Sequence, residues 1–196
     1  MLSEKPNKNG DTLGDLVPGA RGQQRKGLLT QMVWEEEALN QQRVEIMRAL
    51  PTEGDGVLIF DDTGFGKQGK HSVGVARQYS GTLGKVANCQ VTVNAHYAER
   101  TLAWPVASRL YLPQHWCADA ERRVAAQVPS EIVFQTKAEI ALDLLDPANQ
   151  WQLSHACVAA NADYGAIPTF LSELESREAQ SVVAGGVHVS VVTTPQ

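Results

Sequence analysis

The order of apolar and polar positions along the 196-residue chain predicts an alternation of strands and helices. The run VLIF, residues 57–60, is short and continuously apolar, which is typical of a buried strand, and Asp61 follows it directly. Two segments in which apolar and polar residues alternate come next, SVGVARQY at 72–79 and VANCQVTVNAHYA at 86–98. A turn over 81–84 separates them. The pattern therefore predicts three successive strands in hairpin connection.

Four further elements are predicted in the second half of the chain. A threonine cap with a glutamate three residues later predicts a helix over 137–146, which Pro147 ends. The segment ACVAAN, residues 156–161, predicts a strand. Pro168 stands at a first-turn position and opens a second helix, and QSVVAGG at 180–186 predicts a fifth strand.

The remaining stretches are less regular. Residues 1–30 contain few large apolar groups, which predicts a flexible leader, and residues 31–52 predict one amphipathic N-terminal helix. Residues 101–130 hold three prolines and no sustained period, so we expect an irregular insertion after the third strand, with a short helix near 119–127. Residues 53–190 are then one α/β domain, incomplete at its carboxyl end.

The order of these elements also indicates a fold. Three antiparallel strands, a helix, a strand parallel to the first, a helix and a fifth strand follow one another. This is the order of an RNase H-like fold, in which helices flank a mixed sheet of about five strands. Because the carboxyl ends of parallel strands carry the chemistry of α/β sheets, Asp61 and the end of the fourth strand become the positions of interest.

Composition narrows the class of protein. The net charge of −5 excludes coating of nucleic acid by bulk electrostatics. Residues 61–88 are the exception, with four basic and two acidic side chains, so a phosphate contact or a merely solvated face are both open for them. Three widely spaced cysteines without a C-x-x-C pair exclude a disulfide framework and a zinc ribbon, and indicate a reducing cytoplasm. No membrane span or secretory signal is expected.

Two local motifs suggest chemistry. Gly64 to Lys70 has the glycine, four residues and Gly-Lys spacing of a phosphate-cradling P-loop, which would make the chain a nucleotide-binding protein. His71 stands where that loop needs Ser or Thr, and a strand pattern follows instead of a helix. The cluster Asp61-Asp62-Thr63 fits either a divalent-cation site at a strand end or ordinary turn chemistry.

At these residues the sequence resembles a known family. The run VLIFDDTGFGKQGKHSVGVARQYSGTLGKVANCQV, residues 57–91, resembles the catalytic domain of DDE insertion-sequence transposases, the DDE superfamily endonucleases. The resemblance continues through RLYLPQHW, FQTKAEIALDLL and VAANADYG, and covers roughly Glu53 to Gly185. It implies an RNase H-like core in which two aspartates and a glutamate hold two Mg²⁺ or Mn²⁺ ions for DNA cleavage and strand transfer.

The resemblance assigns roles to particular residues. The first family aspartate falls on Asp61, and the second on Asn161, just before the Tyr-Gly pair. A register that makes Asp163 the second ligand is the alternative. The third acid has no counterpart, because the last acidic residue is Glu178 and the chain ends at Gln196. We therefore expect a truncated or decayed transposase with impaired cleavage and metal binding, and with an unprotected edge on its final strand.

The implied partner is DNA at transposon ends, and the implied location is the bacterial cytoplasm, associated with the nucleoid when bound to DNA. The cations expected to contact phosphates are Lys67, Lys70, Arg77 and Lys85. The alternative from another class is a non-catalytic remnant that binds DNA or forms oligomers, either with itself or with an intact transposase copy.

Overall fold

The computed structural model describes residues 27, 33, 35–50, 53–184 and 190–192. The chain divides into two compact units, residues 1–43 and 44–196. The predicted leader lies almost entirely outside the described residues. The N-terminal helix, α1, is observed over Glu36–Arg48. None of the helices in the described part of the chain is long and apolar enough to cross a membrane.

The second unit is built on one mixed sheet. In the described residues the sheet has seven strands in the order β2-β3-β1-β5-β6-β7, and β4 pairs with β3 on the edge that β2 also occupies. Strand β1 is antiparallel to β3 and parallel to β5, and β5 is parallel to β6. The strand bounds are Val57–Gly66, Ala76–Ser80, Lys85–Ala98, Ala103–Leu110, Cys157–Ala160, Ser181–Val183 and Ser190–Val192, from β1 to β7.

Helices flank this sheet, and their order confirms the predicted RNase H-like fold class. Two short helices follow β4, a long helix precedes β5, and two helices separate β5 from β6. Their bounds are Gln114–Ala118 for α2, Ala120–Ala125 for α3, Lys137–Gln150 for α4, Ala162–Gly165 for α5 and Pro168–Ser176 for α6. The predicted cap of α4 is present, because the Thr136 hydroxyl and the Glu139 carboxylate exchange hydrogen bonds with each other's backbone N–H groups.

The main core lies between the sheet and the helices on one of its faces. Leu58 and Phe60 of β1 alternate inward, and Val158 and Ala160 stand beside them on β5 with the same orientation. These side chains pack in one cluster with buried residues of α4 and α6, of which Ala141, Leu145, Phe170 and Leu174 are almost inaccessible. Burying one large apolar side chain contributes about 1.5–3 kcal/mol, so this cluster dominates the stability of the unit.

One stretch predicted as irregular is a strand. Residues 103–110 form β4, which pairs with β3, so the prediction is wrong for them. The register shifts by one residue between Ala95 and His96 of β3, which leaves a bulge at Val106 next to Pro105. A bulge and a proline both break the alternation by which a strand is recognised in sequence. The short helix predicted within the same stretch is observed as α3.

Strand β1 is longer than the apolar run predicts. It continues through the glycine-rich stretch to Gly66, because β3 supplies a backbone partner for each of its residues. Gly64 is required there by close approach, since a β-carbon at this position would clash with the Ser80 side chain. Asp61 therefore lies within β1, one residue beyond its parallel pairing with β5.

Two further differences concern the ends of elements. Helix α4 continues past Pro147 to Gln150, because its last turn buries Ala148 completely in the core. The edge of β6, expected to be unprotected, is paired with β7. Three residues are too short a segment for the sequence pattern to predict a strand.

Candidate active site

Asp61 and Asn161 occupy equivalent positions, one residue beyond the parallel pairing of β1 with β5. The pairing of β1 with β5 ends at Phe60 and Ala160, and these two residues come next. The Asn161 side-chain nitrogen donates a hydrogen bond of 2.9 Å to Asp61 Oδ1, across 100 residues of sequence. The proximity that the resemblance implies is confirmed, and both residues are exposed.

The carboxamide of Asn161 is also the N-terminal cap of α5. Its backbone is extended, with φ −76° and ψ 178°, and its Oδ1 accepts a hydrogen bond of 2.9 Å from the Asp163 backbone N–H. Asparagine is among the best residues at this position because its side chain reaches a free N–H of the first turn. The cap leaves the amide nitrogen facing Asp61.

Asp62 lies on the opposite face of the strand from Asp61, and its surroundings differ completely. One carboxylate oxygen accepts a hydrogen bond of 2.6 Å from the Tyr164 hydroxyl, and the other lies 2.6 Å from the Lys137 ammonium group. Only 13% of the Asp62 side chain is exposed. Burial, first, and then the hydrogen bond to Asp62 and the charges of Asp62, Asp61 and Asp163 raise the pKa of Tyr164.

A cavity of about 220 Å³ lies beside this ion pair. Asp62, Tyr111, Lys137, Asp163 and Tyr164 line it, together with Ala138 of α4 and the residues directly before α4 and α6. The Lys137 ammonium group stands 5.8 Å from the centre of the Tyr111 ring, at cation–π distance. Burial raises the pKa of Tyr111, and the positive charge of Lys137 acts against that rise.

Sequence reasoning missed Lys137 and Tyr164 as site residues. Both lie in segments that carry the family resemblance, FQTKAEIALDLL and VAANADYG. A lysine at the first position of a capped helix and a tyrosine four residues after a strand end are the available signals. Neither indicates which carboxylate the side chain contacts, because that depends on how α4 and α5 pack on the sheet.

A polar cluster supports β1 on the face of Asp61. Asn94 of β3, directly opposite Asp61, donates to the Thr63 hydroxyl at 3.0 Å and accepts a short hydrogen bond from Ser108 of β4. The Asn94 side chain is buried, and its amide also lies 3.4 Å from the Asp61 backbone carbonyl. Hydrogen bonds that satisfy a buried amide fix the backbone on which Asp61 stands.

The four predicted DNA contacts lie away from this edge. All are exposed, and they surround the β2–β3 hairpin and the loop that leads to it. Six residues of extended strand, roughly 20 Å, separate Lys67 from Asp61. The loop is anchored, because Asn88 donates to the carbonyls of Lys67 and Gly69, and Arg122 donates to that of Lys70. The other predicted contacts are Arg77 on β2 and Lys85 at the start of β3.

The P-loop motif does not adopt the geometry of a phosphate-cradling loop. Gly64 and Gly66 lie in β1 and pair with Val91 and Cys89 of β3. Between residues 53 and 113 the structure places strands, turns and irregular chain, so no helix opens after Lys70. The helix N-terminus that meets the phosphates in a P-loop is therefore not formed there.

The donor groups at the Asp61 edge do not match a two-ion site. Asn161 supplies an amide in place of a carboxylate, and its oxygen is already used by the cap. Asp62 is neutralised by Lys137, and Asp163 is exposed in the first turn of α5. Within the described residues, no three His, Cys, Asp or Glu side chains are grouped to hold a metal ion. Hard divalent cations require several oxygen ligands, so these residues do not fit the implied ions.

Comparison with known proteins identifies the family. A model of the DDE superfamily endonuclease family matches residues 16–193. A probable transposase for insertion sequence element IS701 from Microchaete diplosiphon is 29% identical over 157 residues, which cover 80% of this chain and 38% of that protein. The chain thus spans well under half the length of that curated relative. The extent of the family match, together with the RNase H-like sheet, shows that the chain belongs to the DDE superfamily endonucleases.

Proposed function

We propose that this chain acts on DNA in transposition and that the cleavage reaction of its family is impaired in it. The observation that carries the proposal is the contact between Asp61 and Asn161. It joins β1 and β5 where their parallel pairing ends, at the position where this family is expected to hold its first two acids. The transposase relative supports the same process.

The exposure of Asp61 supports a site that a large substrate can reach. Its side chain and that of Asn161 are both open to solvent, unlike that of Asp62 on the other face. Catalytic groups that act on a polymer must be reachable in this way.

The identity of residue 161 supports impairment. Two-metal chemistry depends on carboxylates that concentrate positive charge where the attacking and leaving oxygens stand. An amide contributes no negative charge, and the Asn161 amide is engaged at both of its polar ends. Losing one member of a group that works as a unit commonly costs several powers of ten in rate.

The basic side chains around the β2–β3 hairpin are proposed to bind phosphates. Lys67, Lys70, Arg77 and Lys85 are exposed, and hydrogen bonds anchor the loop that bears the first two. Binding to duplex DNA should be weak and should fall steeply with salt, because each neutralised phosphate releases counterions.

Fluorescence anisotropy of labelled duplex DNA across a salt series tests this proposal. Replacing Lys67 and Lys70 by Glu should flatten the slope of log affinity against log salt by about 2, close to 0.9 for each lost contact. Arg100→Glu is the control, because it reverses an exposed charge beyond the opposite end of β3 from this hairpin. A slope unchanged in the double variant would assign these lysines to a solvated surface.

The second candidate function is a non-catalytic one, in which the chain binds DNA or forms mixed oligomers with an intact transposase. The double engagement of the Asn161 amide favours it, because such an edge holds together without a cofactor. Nicking of supercoiled plasmid by Asn161→Asp, but not by the unmodified chain, would assign the loss to this residue. Absence of nicking in both, with DNA binding intact, would favour the non-catalytic function.

A further inference from the structure

The feature that goes beyond the family comparison is the orientation of the Asn161 carboxamide. We infer that the amide nitrogen of Asn161 takes the place of the cation between the two strand ends, so that this edge is stable without a metal ion. The inference rests on the proposed function only in taking this edge of the sheet as the position where the family is expected to bind metal. It concerns one hydrogen bond, which the Asn161 amide nitrogen donates to Asp61 Oδ1.

The fold forces the two side chains together. Parallel pairing of 57–60 with 157–160 places residues 61 and 161 side by side on one face. Residue 161 is held on its other side as well, because its carbonyl accepts from the Gly165 N–H at 3.1 Å and the preceding carbonyl accepts from the Ala184 N–H at 3.1 Å. The end of β5 therefore cannot move away from β1 without breaking these bonds.

The cap determines which end of the carboxamide meets Asp61. Oδ1 accepts from the Asp163 backbone N–H, so the NH₂ group points at the Asp61 carboxylate. A carboxamide has one accepting and one donating end, and here each end has the partner that it requires. The donor supplies to Asp61 the partial positive charge that a cation would otherwise supply.

An aspartate at position 161 would keep the cap but lose the donor. Asp and Asn cap helices equally well, so the bond to the Asp163 N–H would remain. The second oxygen would then face Asp61 Oδ1 across the present 2.9 Å, as two acceptors. Two carboxylates at that distance are unfavourable unless a cation or a proton lies between them. Lys137 does not supply this cation, because it is paired with Asp62 on the other face of β1, at 2.6 Å.

Thermal unfolding of five forms of the chain, without DNA, tests the inference. The forms are the unmodified chain, Asn161→Asp, Asp61→Asn, the double variant that exchanges the two side chains, and the control Asp163→Asn. Each is measured by calorimetry with EDTA, with Mg²⁺ and with Mn²⁺, and Mn²⁺ binding is measured by electron paramagnetic resonance.

The unmodified chain should show the same Tm with EDTA and with either metal. Asn161→Asp should have a Tm lower by several degrees with EDTA, and Mg²⁺ or Mn²⁺ should recover it while bound Mn²⁺ becomes detectable. The exchanged double variant again has one donor and one acceptor, so it should recover the Tm with EDTA and lose the metal response. Asp163→Asn leaves the Asp61–Asn161 pair intact, so the Tm of this variant should be the same with EDTA and with either metal.

The inference is overturned if Mn²⁺ raises the Tm of the unmodified chain as much as that of Asn161→Asp. It is also overturned if the exchanged double variant is no more stable with EDTA than Asn161→Asp. Should Asn161→Asp fail to fold with EDTA, its folding on addition of Mn²⁺ and the folding of the double variant support the inference. Failure of both to fold contradicts it. Because no DNA is present, these outcomes are independent of whether the chain binds or cuts DNA.

Discussion

Asp61 and Asp62 are neighbours in sequence and opposites in environment. Asp62 is almost buried, bonded to the Tyr164 hydroxyl and paired with the Lys137 ammonium group. Asp61 is exposed, and its carboxylate meets the amide of Asn161. The reason is the alternation of a strand, which turns successive side chains to opposite faces of the sheet.

Because of this difference, the two adjacent acids suit different roles, one structural and one chemical. A carboxylate enclosed by a cation and a hydroxyl contributes to stability, because each buried partner would otherwise be left unsatisfied. An exposed carboxylate contributes little to stability and remains accessible to a substrate. The Asp-Asp pair is therefore one structural acid and one functional candidate, and each can be tested by removing it.

The largest expected effect is the loss of Asp62. Asp62→Ala leaves the half-buried Lys137 ammonium group and the buried Tyr164 hydroxyl without their partner, and should lower the free energy of unfolding by about 3 kcal/mol. Asp61→Ala removes one exposed hydrogen bond and should cost below about 1 kcal/mol. Urea titrations followed by circular dichroism compare the two. Equal costs would contradict the assignment of Asp62 to the core.

Part of this contrast is visible in the sequence. The apolar run 57–60 predicts the buried strand that ends beside Asp61, and ACVAAN predicts that Asn161 ends another. Pro168 and its helix, and the strand over 86–98, also follow from local patterns. These elements are predictable because short-range periodicity and helix capping determine them.

The rest depends on contacts between distant residues. The bulge at Val106 conceals β4, and the pairing of β1 with β3 makes a strand of a glycine-rich segment. The Asp62–Lys137 pair joins residues 75 positions apart. No local pattern encodes these contacts, because tertiary pairing decides them.

The next effect concerns Tyr164 and pH. Tyr164→Phe removes the hydroxyl that Asp62 accepts from, and should cost about 1–2 kcal/mol at neutral pH. Burial and Asp62 raise the pKa of this phenol above the ordinary value of 10.0, so the unfolded chain ionises first. The stability that Tyr164 contributes is present below pH 10 and is lost as pH rises further.

Tyr164→Phe should therefore reduce the loss of stability above pH 10. Tyr97 provides the comparison, because burial and the hydrogen bond to Glu99 raise its pKa to about 12, and its contribution is lost between pH 10 and 12. Urea titrations at a series of alkaline pH values measure the stability of Tyr164→Phe and of Tyr97→Phe. If the stability of Tyr164→Phe fell with pH in the same way as that of the unmodified chain, Tyr164 would ionise as freely in the folded chain as in the unfolded one.

A small effect is also expected from the cap on the Asp61 side. Asn161→Ala removes the bond to the Asp163 N–H and the donor to Asp61, and should cost about 1 kcal/mol. Asn161→Ser keeps a capping hydroxyl and should recover most of that cost. Chemical unfolding resolves the two variants. A loss as large as that of Asp62→Ala would place Asn161 among the residues that hold the core.

Residue 161 gives Asp61 an amide partner where the family is expected to have a second acid. A crystal structure of the chain grown with Mn²⁺, with the metal located by its anomalous scattering, is the decisive test of this pairing. We expect the Asn161 nitrogen to lie within hydrogen-bond distance of Asp61 Oδ1, with no manganese peak at this edge. A peak bridging Asp61 with Asn161 or Asp163 would contradict it.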